Sequence, residues 1–283
     1  MLQLANDFRQ ESEALHALVQ PLDEAALDQP TAFKNWTINT VIRHLHVWNL
    51  AAEMALKADG SFEAYYAKLA EHQKKGGKLP AFETEWTDGL SGRKLVAAWK
   101  DGFAGTAERF AVADPSARLK WAGPDMSARS SMTARLMETW AHGQEVYDVL
   151  GKIRSNADRI RNIVVLGNNT YGWTFKVRGE APPDPRPHLR LTAPSGEIWT
   201  YNDPSETELV EGLAEEFCQV VTQTRNIADT RLRVVGANAT NWMSKAQCFA
   251  GAAEPPPPPG TRLTKTPAGP PSTGRPGCSS SCP

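Results

Sequence analysis

The first 175 residues carry apolar side chains at helical spacing in one segment after another, with no strand pattern between them. In residues 2–19, for example, Leu4 and Phe8 belong to one apolar face. The predicted helices are residues 2–19, 38–57, 61–75, 91–112, 127–150 and 158–170. Thr37 is a suitable N-cap, and Gly151 is a suitable residue just past a helix end. Long helices joined by modest connections predict a helical bundle.

The pattern changes near residue 180, where segment 180–188 has four prolines in nine residues and is typical of a linker. Beyond it, alternating residues predict a hairpin over 188–201. A helix at 206–224, a strand at 231–235 and a helix at 240–249 are predicted to follow. This mixture predicts a small α+β domain, so the fold class is α+β, with the helical bundle first.

From residue 254 the chain is rich in Pro, Gly, Ser and Thr, beginning with five consecutive prolines. Such a segment has little to bury, so we expect a disordered tail. The predicted division is a metal-binding bundle over 1–178, a small α+β domain over 188–252 and a tail over 253–283.

The charge balance argues against a nucleic-acid partner, because 31 Lys and Arg oppose 32 Asp and Glu. No apolar run approaches the ~20 residues of a membrane-spanning helix, and the N-terminus lacks a signal-peptide pattern. We therefore expect a cytoplasmic protein without structural disulfides, acting on a small molecule, with its oligomeric state open. Cys218 and Cys248 have apolar helical neighbours and are expected to pack as small hydrophobic residues, whereas Cys278 and Cys282 lie in the tail.

The strongest local motif is Glu138-Thr-Trp-Ala-His142 in the helix predicted at 127–150. Residues four apart share a helix face, so this carboxylate and imidazole can converge on one cation. Such pairs are also common on solvated helix faces. His44 lies in a second long helix among apolar neighbours, which fits either an inward-pointing ligand or a hydrogen-bonded core histidine. Together the three would form a His₂-carboxylate set with open coordination positions.

Two segments resemble the metal-binding pattern of the DinB-like superfamily, in particular the branch that contains mycothiol-dependent maleylpyruvate isomerases. They are WTINTVIRHLHVW and, some 90 residues later, RLMETWAHGQEVYDVLG. The resemblance covers about residues 1–250 and implies an N-terminal four-helix bundle followed by a smaller α/β domain. It also implies a divalent metal held by His44, Glu138 and His142. A His₂Glu set favours zinc, although nickel, manganese or iron would be accepted by the same ligands.

Several other residues are candidates for roles around this site. His46 is an additional histidine that could act as an acid or base, replace His44 as ligand, or lie on the surface. Arg190 and Arg225 are the nearest candidates for a substrate-gripping arginine, although a solvated surface charge is the commoner role. Gln144 and Glu145 either orient His142 or belong to an ordinary polar face.

A divalent ion with open positions lowers the pKa of a bound thiol or water and polarises a carbonyl group. The resemblance implies the first use, with a low-molecular-weight thiol as cosubstrate. The predicted function is therefore thiol-dependent transfer to, or isomerisation of, a small electrophile. Two alternatives stay open: a metal-dependent hydrolase or lyase that uses bound water, and a ligand-binding protein without catalytic activity.

Overall fold

Four long helices form the N-terminal part of the molecule in the computed structural model, which describes residues 1–262. They are α1 (Leu2–Val19), α3 (Ile38–Lys57), α6 (Gly92–Ala111) and α7 (Ala128–Val149). Shorter helices stand between or after them: α2 (Glu24–Leu27), α4 (Ser61–Lys74), α5 (Leu79–Trp86), α8 (Arg161–Asn169) and α9 (Tyr171–Lys176). Both α1 and α3 pack against α6 and α7, which confirms the predicted bundle.

Side-chain caps set the start of the two helices that carry the metal-binding motif. The Thr37 Oγ1 accepts a hydrogen bond from the Thr40 amide at 3.1 Å, and α3 begins at the next residue. The Ser127 Oγ accepts from the Ser130 amide at 3.1 Å, and α7 follows it. Because each cap satisfies an otherwise unpaired helical amide, the phase of each helix is fixed close to its start.

The C-terminal part is built around a four-stranded sheet in the order β4-β3-β5-β6. Earlier in the chain, two strands of two residues each form a separate antiparallel pair within the bundle. They are β1 (Arg118–Leu119) and β2 (Met126–Ser127). The sheet strands are β3 (His188–Thr192), β4 (Ile198–Tyr201), β5 (Leu209–Leu213) and β6 (Arg233–Val235). Only the β3–β5 pair is parallel within this sheet. Helices α10 (Ala214–Val221) and α11 (Ala237–Met243) complete the α+β part.

Two predicted helices of this domain are wrong in part. The helix predicted at 240–249 is observed as Ala237–Met243, so its second half is not helical. The other is wrong in its first half. Residues 206–224 were predicted as one helix, but the first half contains β5 and the helix begins only at Ala214. Leu209 and Val210 are fully buried in a strand paired on both sides, by β3 and β6. Gly212 has φ +145, outside the helical region. Sheet pairing therefore overrides the helical preference of the local sequence.

The beginning of the Pro-rich region also departs from the prediction of a tail. Residues 249–262, here called the C-terminal strap, run along the bundle and the α+β part. Side chains donate hydrogen bonds to strap carbonyl groups: Gln223 to Glu254 at 3.0 Å, Arg178 to Glu254 at 2.7 Å and Asn226 to Pro257 at 2.8 Å. These long-range contacts hold a segment that has almost no core of its own. The rest of the predicted tail, residues 263–283 with Cys278 and Cys282, lies outside the described residues.

A buried ion pair joins the two parts of the molecule. Arg225, just after α10, makes a bidentate contact with Asp148 near the end of α7, with both N–O distances at 2.7 Å. Both side chains are buried. Within residues 1–262, none of the helices is both long and apolar enough to span a membrane.

Candidate metal centre

Three predicted ligands converge where α3 meets α7. The His44 Nε2 lies 3.8 Å from the Glu138 Oε2, and the His142 Nε2 lies 3.2 Å from the same oxygen. One donor atom of each of the three residues lies within 4.8 Å of a donor atom of each of the other two. Donors about 2.0–2.1 Å from a tetrahedral ion stand roughly 3.4 Å apart. The 3.2 and 3.8 Å separations lie close to this value, so a small side-chain adjustment would bring the three donors onto one divalent ion.

Aromatic rings pack around the two histidines. The Trp36 ring stacks on His142 with centroids 5.7 Å apart and planes 11° from parallel, and it lies 5.1 Å from the His44 ring. Phe33 contacts His142 edge-on at 5.1 Å. These rings come from the loop before α3, which the Thr37 cap holds against the helix start. They restrict the rotation of the histidine rings and exclude water from one side of the centre.

A buried carboxylate from α5 orients His44. The Glu83 side chain is 0% exposed, and its Oε1 lies 2.8 Å from the His44 Nδ1. The same oxygen accepts a hydrogen bond from the Trp48 indole at 2.9 Å. Because Nδ1 is engaged with Glu83, the Nε2 atom is the nitrogen that faces Glu138. Partners of this kind fix the tautomer and ring orientation of metal-binding histidines.

The electrostatics of the centre favour cation binding. Burial alone would lower the pKa of His44, but Glu83 and Glu138 outweigh it and raise the pKa to about 9. Burial opposes ionisation of Glu138, yet hydrogen bonds from His142 and His44 hold its pKa well below the usual value. Burial and the nearby charge of His44 lower the pKa of His142. In the metal-free protein a proton on His44 therefore takes the place of a cation between two carboxylates.

The centre opens into a cavity of about 770 Å³. Six segments line it: residues 33–36, His44 of α3, residues 78–80, the 137–145 face of α7, residues 222–224 and the C-terminal strap. This volume lies within the range of pockets that hold a drug-sized ligand, ~300–1,000 Å³. The cavity is therefore large enough for a ligand that extends well beyond the metal ligands.

Glu145 and Arg262 form an ion pair on the wall of this cavity. Glu145 follows His142 by three residues on α7, and its Oε1 accepts from the Arg262 guanidinium at the end of the strap. The guanidinium also lies over the Phe33 ring, 5.5 Å from its centroid. Burial raises the pKa of Glu145 to about 7, against the lowering effect of Arg262.

The other predicted site residues lie elsewhere. His46 points towards α6, where a Cβ on Gly102 would stand 3.0 Å from its Nδ1, and its pKa is lowered by burial. Arg190 on β3 pairs with Glu211 at 2.6 Å and with Glu206 at 3.2 Å. Neither residue lines the cavity described above. A catalytic role for His46 or Arg190 stays a prediction without a contact to the centre.

The two other polar candidates have partners of their own. Arg225 contacts Asp148, as described, and the Gln144 amide donates to the same carboxylate at 3.0 Å rather than to His142. Glu145 contacts Arg262. The expectation that Gln144 or Glu145 orients His142 therefore has no supporting hydrogen bond in the described part of the chain.

Sequence reasoning missed Glu83, Trp36 and Arg262. Glu83 lies in a short helix that was not predicted, and no spacing rule links it to a histidine 39 residues earlier. Trp36 carried a weak signal, because it directly precedes the Thr37 cap. Arg262 carried none, because its segment has the composition of a disordered tail.

Comparison with known proteins places these features in a family context. Residues 8–147 match the family described as mycothiol maleylpyruvate isomerase N-terminal domain. The uncharacterized proteins MT0041 and Rv0036c, from two strains of Mycobacterium tuberculosis, are each 36% identical over 247 residues, or 87% of this chain and 94% of theirs. Crystal structures of the mycothiol-dependent maleylpyruvate isomerase and of a histidine-to-alanine mutant share the fold. Each gives a TM-score of 0.50 at 14% identity, over 78% of this chain and 88% of theirs.

Proposed function

Since the chain belongs to the mycothiol maleylpyruvate isomerase N-terminal domain family, we propose that it is a divalent-metal enzyme with a thiol cosubstrate. In this proposal a low-molecular-weight thiol assists the cis–trans isomerisation of a small, anionic, electrophilic double bond. His44, Glu138 and His142 hold the ion. The observation that carries the proposal is the convergence of these three donor side chains on the wall of a cavity of about 770 Å³.

The donor set suits a catalytic ion, because three protein ligands leave coordination positions open. When bound, a divalent ion would lower the pKa of a thiol and so supply a thiolate at neutral pH. The protein's own part is to hold the ligands and to limit water. Glu83 fixes the His44 ring, and Trp36 covers His142.

The nucleophile must come from outside the described part of the chain, because its two cysteines are unsuited to the role. Cys218 and Cys248 are both buried, and burial raises the pKa of both thiols. The thiolate is the reactive form of cysteine, so these residues stay unreactive at neutral pH. An added thiol that enters the cavity is consistent with this arrangement.

In the proposed reaction the thiolate is regenerated at the end, so no sulfur or proton is gained or lost overall. The thiolate sulfur adds to one carbon of a carbon–carbon double bond conjugated to a carbonyl group, and the electron pair moves to the carbonyl oxygen. The former double bond rotates as a single bond. Reversal expels the thiolate and restores the double bond in the other geometry. Lys78, an exposed residue that lines the cavity and has no ion pair within residues 1–262, would attract an anionic substrate.

Elemental analysis tests the metal centre directly. We expect about one divalent ion per chain in the purified protein and its loss in His142→Ala. His16→Ala is the matched control, since His16 packs against Trp99 and Phe103 away from the centre. If metal is absent from the unaltered protein after incubation with zinc, nickel or manganese, the proposed function is wrong and the ligand-binding alternative gains support.

Turnover assays then separate the enzyme classes. The zinc-loaded protein is incubated with maleylpyruvate, with and without mycothiol, and both compounds are followed. Isomerisation that requires mycothiol without consuming it supports the proposal, whereas stoichiometric loss of the thiol indicates a transferase. Thiol-independent loss of substrate would favour the metal-dependent hydrolase.

A further inference from the structure

One wall of the cavity contains a buried carboxylate with an incomplete set of hydrogen bonds. Glu145 is only 2% exposed and lines the cavity. Its Oε1 accepts from Arg262, whereas its Oε2 has no hydrogen-bond partner in residues 1–262. Buried polar atoms are normally paired, so a ligand that donates a hydrogen bond to this oxygen would bind favourably.

The position of Glu145 suits a part of the ligand beyond its sulfur, when that sulfur lies at the metal centre. It follows His142 by three residues on the same helix, which corresponds to about 4.5 Å along the axis. A ligand whose sulfur lies at the centre would therefore run along α7 towards Glu145. The cavity continues in this direction, since Glu145 and the strap both line it.

The strap forms a stiff wall on this side. Its five prolines have fixed φ angles, and three side chains from outside the strap bind its carbonyl groups. Asp229 accepts from the Gly260 amide at 2.8 Å, two residues before Arg262. A segment held in this way loses little further freedom when a ligand binds.

The charges on this wall indicate what kind of group it would accept. Glu145 pairs with Arg262, and Lys34 pairs with Glu254 at 3.2 Å. Because each cation is matched by a carboxylate, the wall has no excess positive charge for an anion. The pairs instead offer both donors and acceptors, which suit the hydroxyl and amide groups of a neutral molecule.

We infer that Glu145 and Arg262 form a subsite that binds the neutral, hydroxyl- or amide-bearing body of the thiol cosubstrate, away from its sulfur. The inference rests on the proposed function. It adds that the thiol and the electrophile occupy different parts of the cavity. The thiol occupies the strap side, and the electrophile enters from the Lys78 side. Arg262 and Glu145 thus determine which thiol is used, without acting on the reacting atoms.

The test compares two thiols on the zinc-loaded, full-length protein by isothermal titration calorimetry. Mycothiol carries sugar hydroxyls and amides, whereas ethanethiol carries only the sulfur. We expect Arg262→Ala and the isosteric Glu145→Gln to weaken mycothiol binding about tenfold to a hundredfold. Ethanethiol binding and zinc content stay unchanged. Arg233→Ala, which removes an exposed arginine paired with Glu211, is the matched control. In turnover, the KM for mycothiol rises while kcat is retained.

The outcomes separate this inference from the proposed function. Unaltered protein that binds neither thiol would overturn both. Unaltered protein that binds mycothiol, with equal affinity in Arg262→Ala and Glu145→Gln, would overturn the subsite alone. Equal weakening of both thiols would also overturn it, because a general disturbance of the centre does not distinguish the body of the thiol from its sulfur.

Discussion

At the scale of single residues, Glu83 is the group on which the geometry of the proposed metal centre most depends. Its Oε1 engages both the His44 Nδ1 and the Trp48 indole, and the side chain has no exposed surface. We predict that Glu83→Gln lowers zinc affinity about 10–100-fold, as is typical when the partner of a ligating histidine is changed. Competition with a chromogenic chelator measures this affinity.

Glu85→Gln provides the matched control, since Glu85 lies on the same helix but is exposed. The control should bind zinc as the unaltered protein does. Unchanged zinc affinity in Glu83→Gln would show that the His44 ring is held by its aromatic neighbours alone. Substitution of Trp36, which contacts this ring, would then be the next test.

Proton release provides a second prediction at this scale. The folded, metal-free protein holds the pKa of His44 at about 9, above its ordinary value of 6.5. The protonated ring therefore stabilises the metal-free protein below about pH 6.5, and this stabilisation is lost as the pH rises through 9. The pKa of His142 is lowered and that of Glu138 lies far below neutrality, so neither holds a proton near neutral pH.

We accordingly predict that zinc binding at about pH 7.5 releases close to one proton per ion, because the ion replaces the proton on His44. Calorimetric titrations in buffers of different ionisation enthalpy give this number. The release should fall in Glu83→Gln, where the ring loses its strongest anionic neighbour. A titration that shows no proton exchange would mean that His44 is already neutral.

At the scale of elements, the sequence was most informative where caps and periodicity agree. The helices α1 and α3 were predicted with their observed bounds, and α7 to within one residue at each end. The short helix α5 is not predicted, because eight residues with a Pro at the start have little helical periodicity. The sequence therefore indicated the three candidate ligands that converge in the structure, but not the residue that orients His44.

The α+β part was less predictable, because its decisive contacts are not local. Residues 206–216 contain several good helix formers, yet Leu209–Leu213 fills the gap between β3 and β6. The strap is a second example. Its order depends on hydrogen bonds from Gln223, Arg178 and Asn226, which are 31 or more residues away from the carbonyl groups they bind. The amino-acid composition of a segment indicates how much apolar surface it can bury, but not which distant side chains bind its backbone.

The pair between Asp148 and Arg225 yields a prediction about how the elements dock. Arg225→Ala would leave the Asp148 carboxylate buried without its bidentate partner, at a cost of about 3–5 kcal/mol in the free energy of unfolding. Chemical denaturation measures this change. Arg233→Ala breaks an exposed pair and should cost no more than about 1 kcal/mol. Equal effects of the two substitutions would mean that the α10 end is held to α7 by apolar packing.

At the scale of the whole molecule, the proposed site depends on parts that are far apart in the chain. The proposed ligands come from α3 and α7, the orienting carboxylate comes from α5, and the strap lines the same cavity. Since α3 and α7 each contact the bundle core, an ion between them would cross-link the helices in the folded state only. Metal binding and stability of the bundle should therefore be coupled.

We predict that zinc at a hundred times its dissociation constant stabilises the folded protein by about 2.7 kcal/mol. For a chain of this size the melting temperature should rise by about 5–10 °C. The rise should disappear in His142→Ala and persist in His16→Ala, whose substituted histidine lies between α1 and α6. Scanning calorimetry at several zinc concentrations measures this rise. A melting temperature that increases with the logarithm of the zinc concentration would show that zinc binds the folded state in preference to the unfolded state. A melting temperature that zinc leaves unchanged in the unaltered protein would contradict a centre that joins α3 to α7.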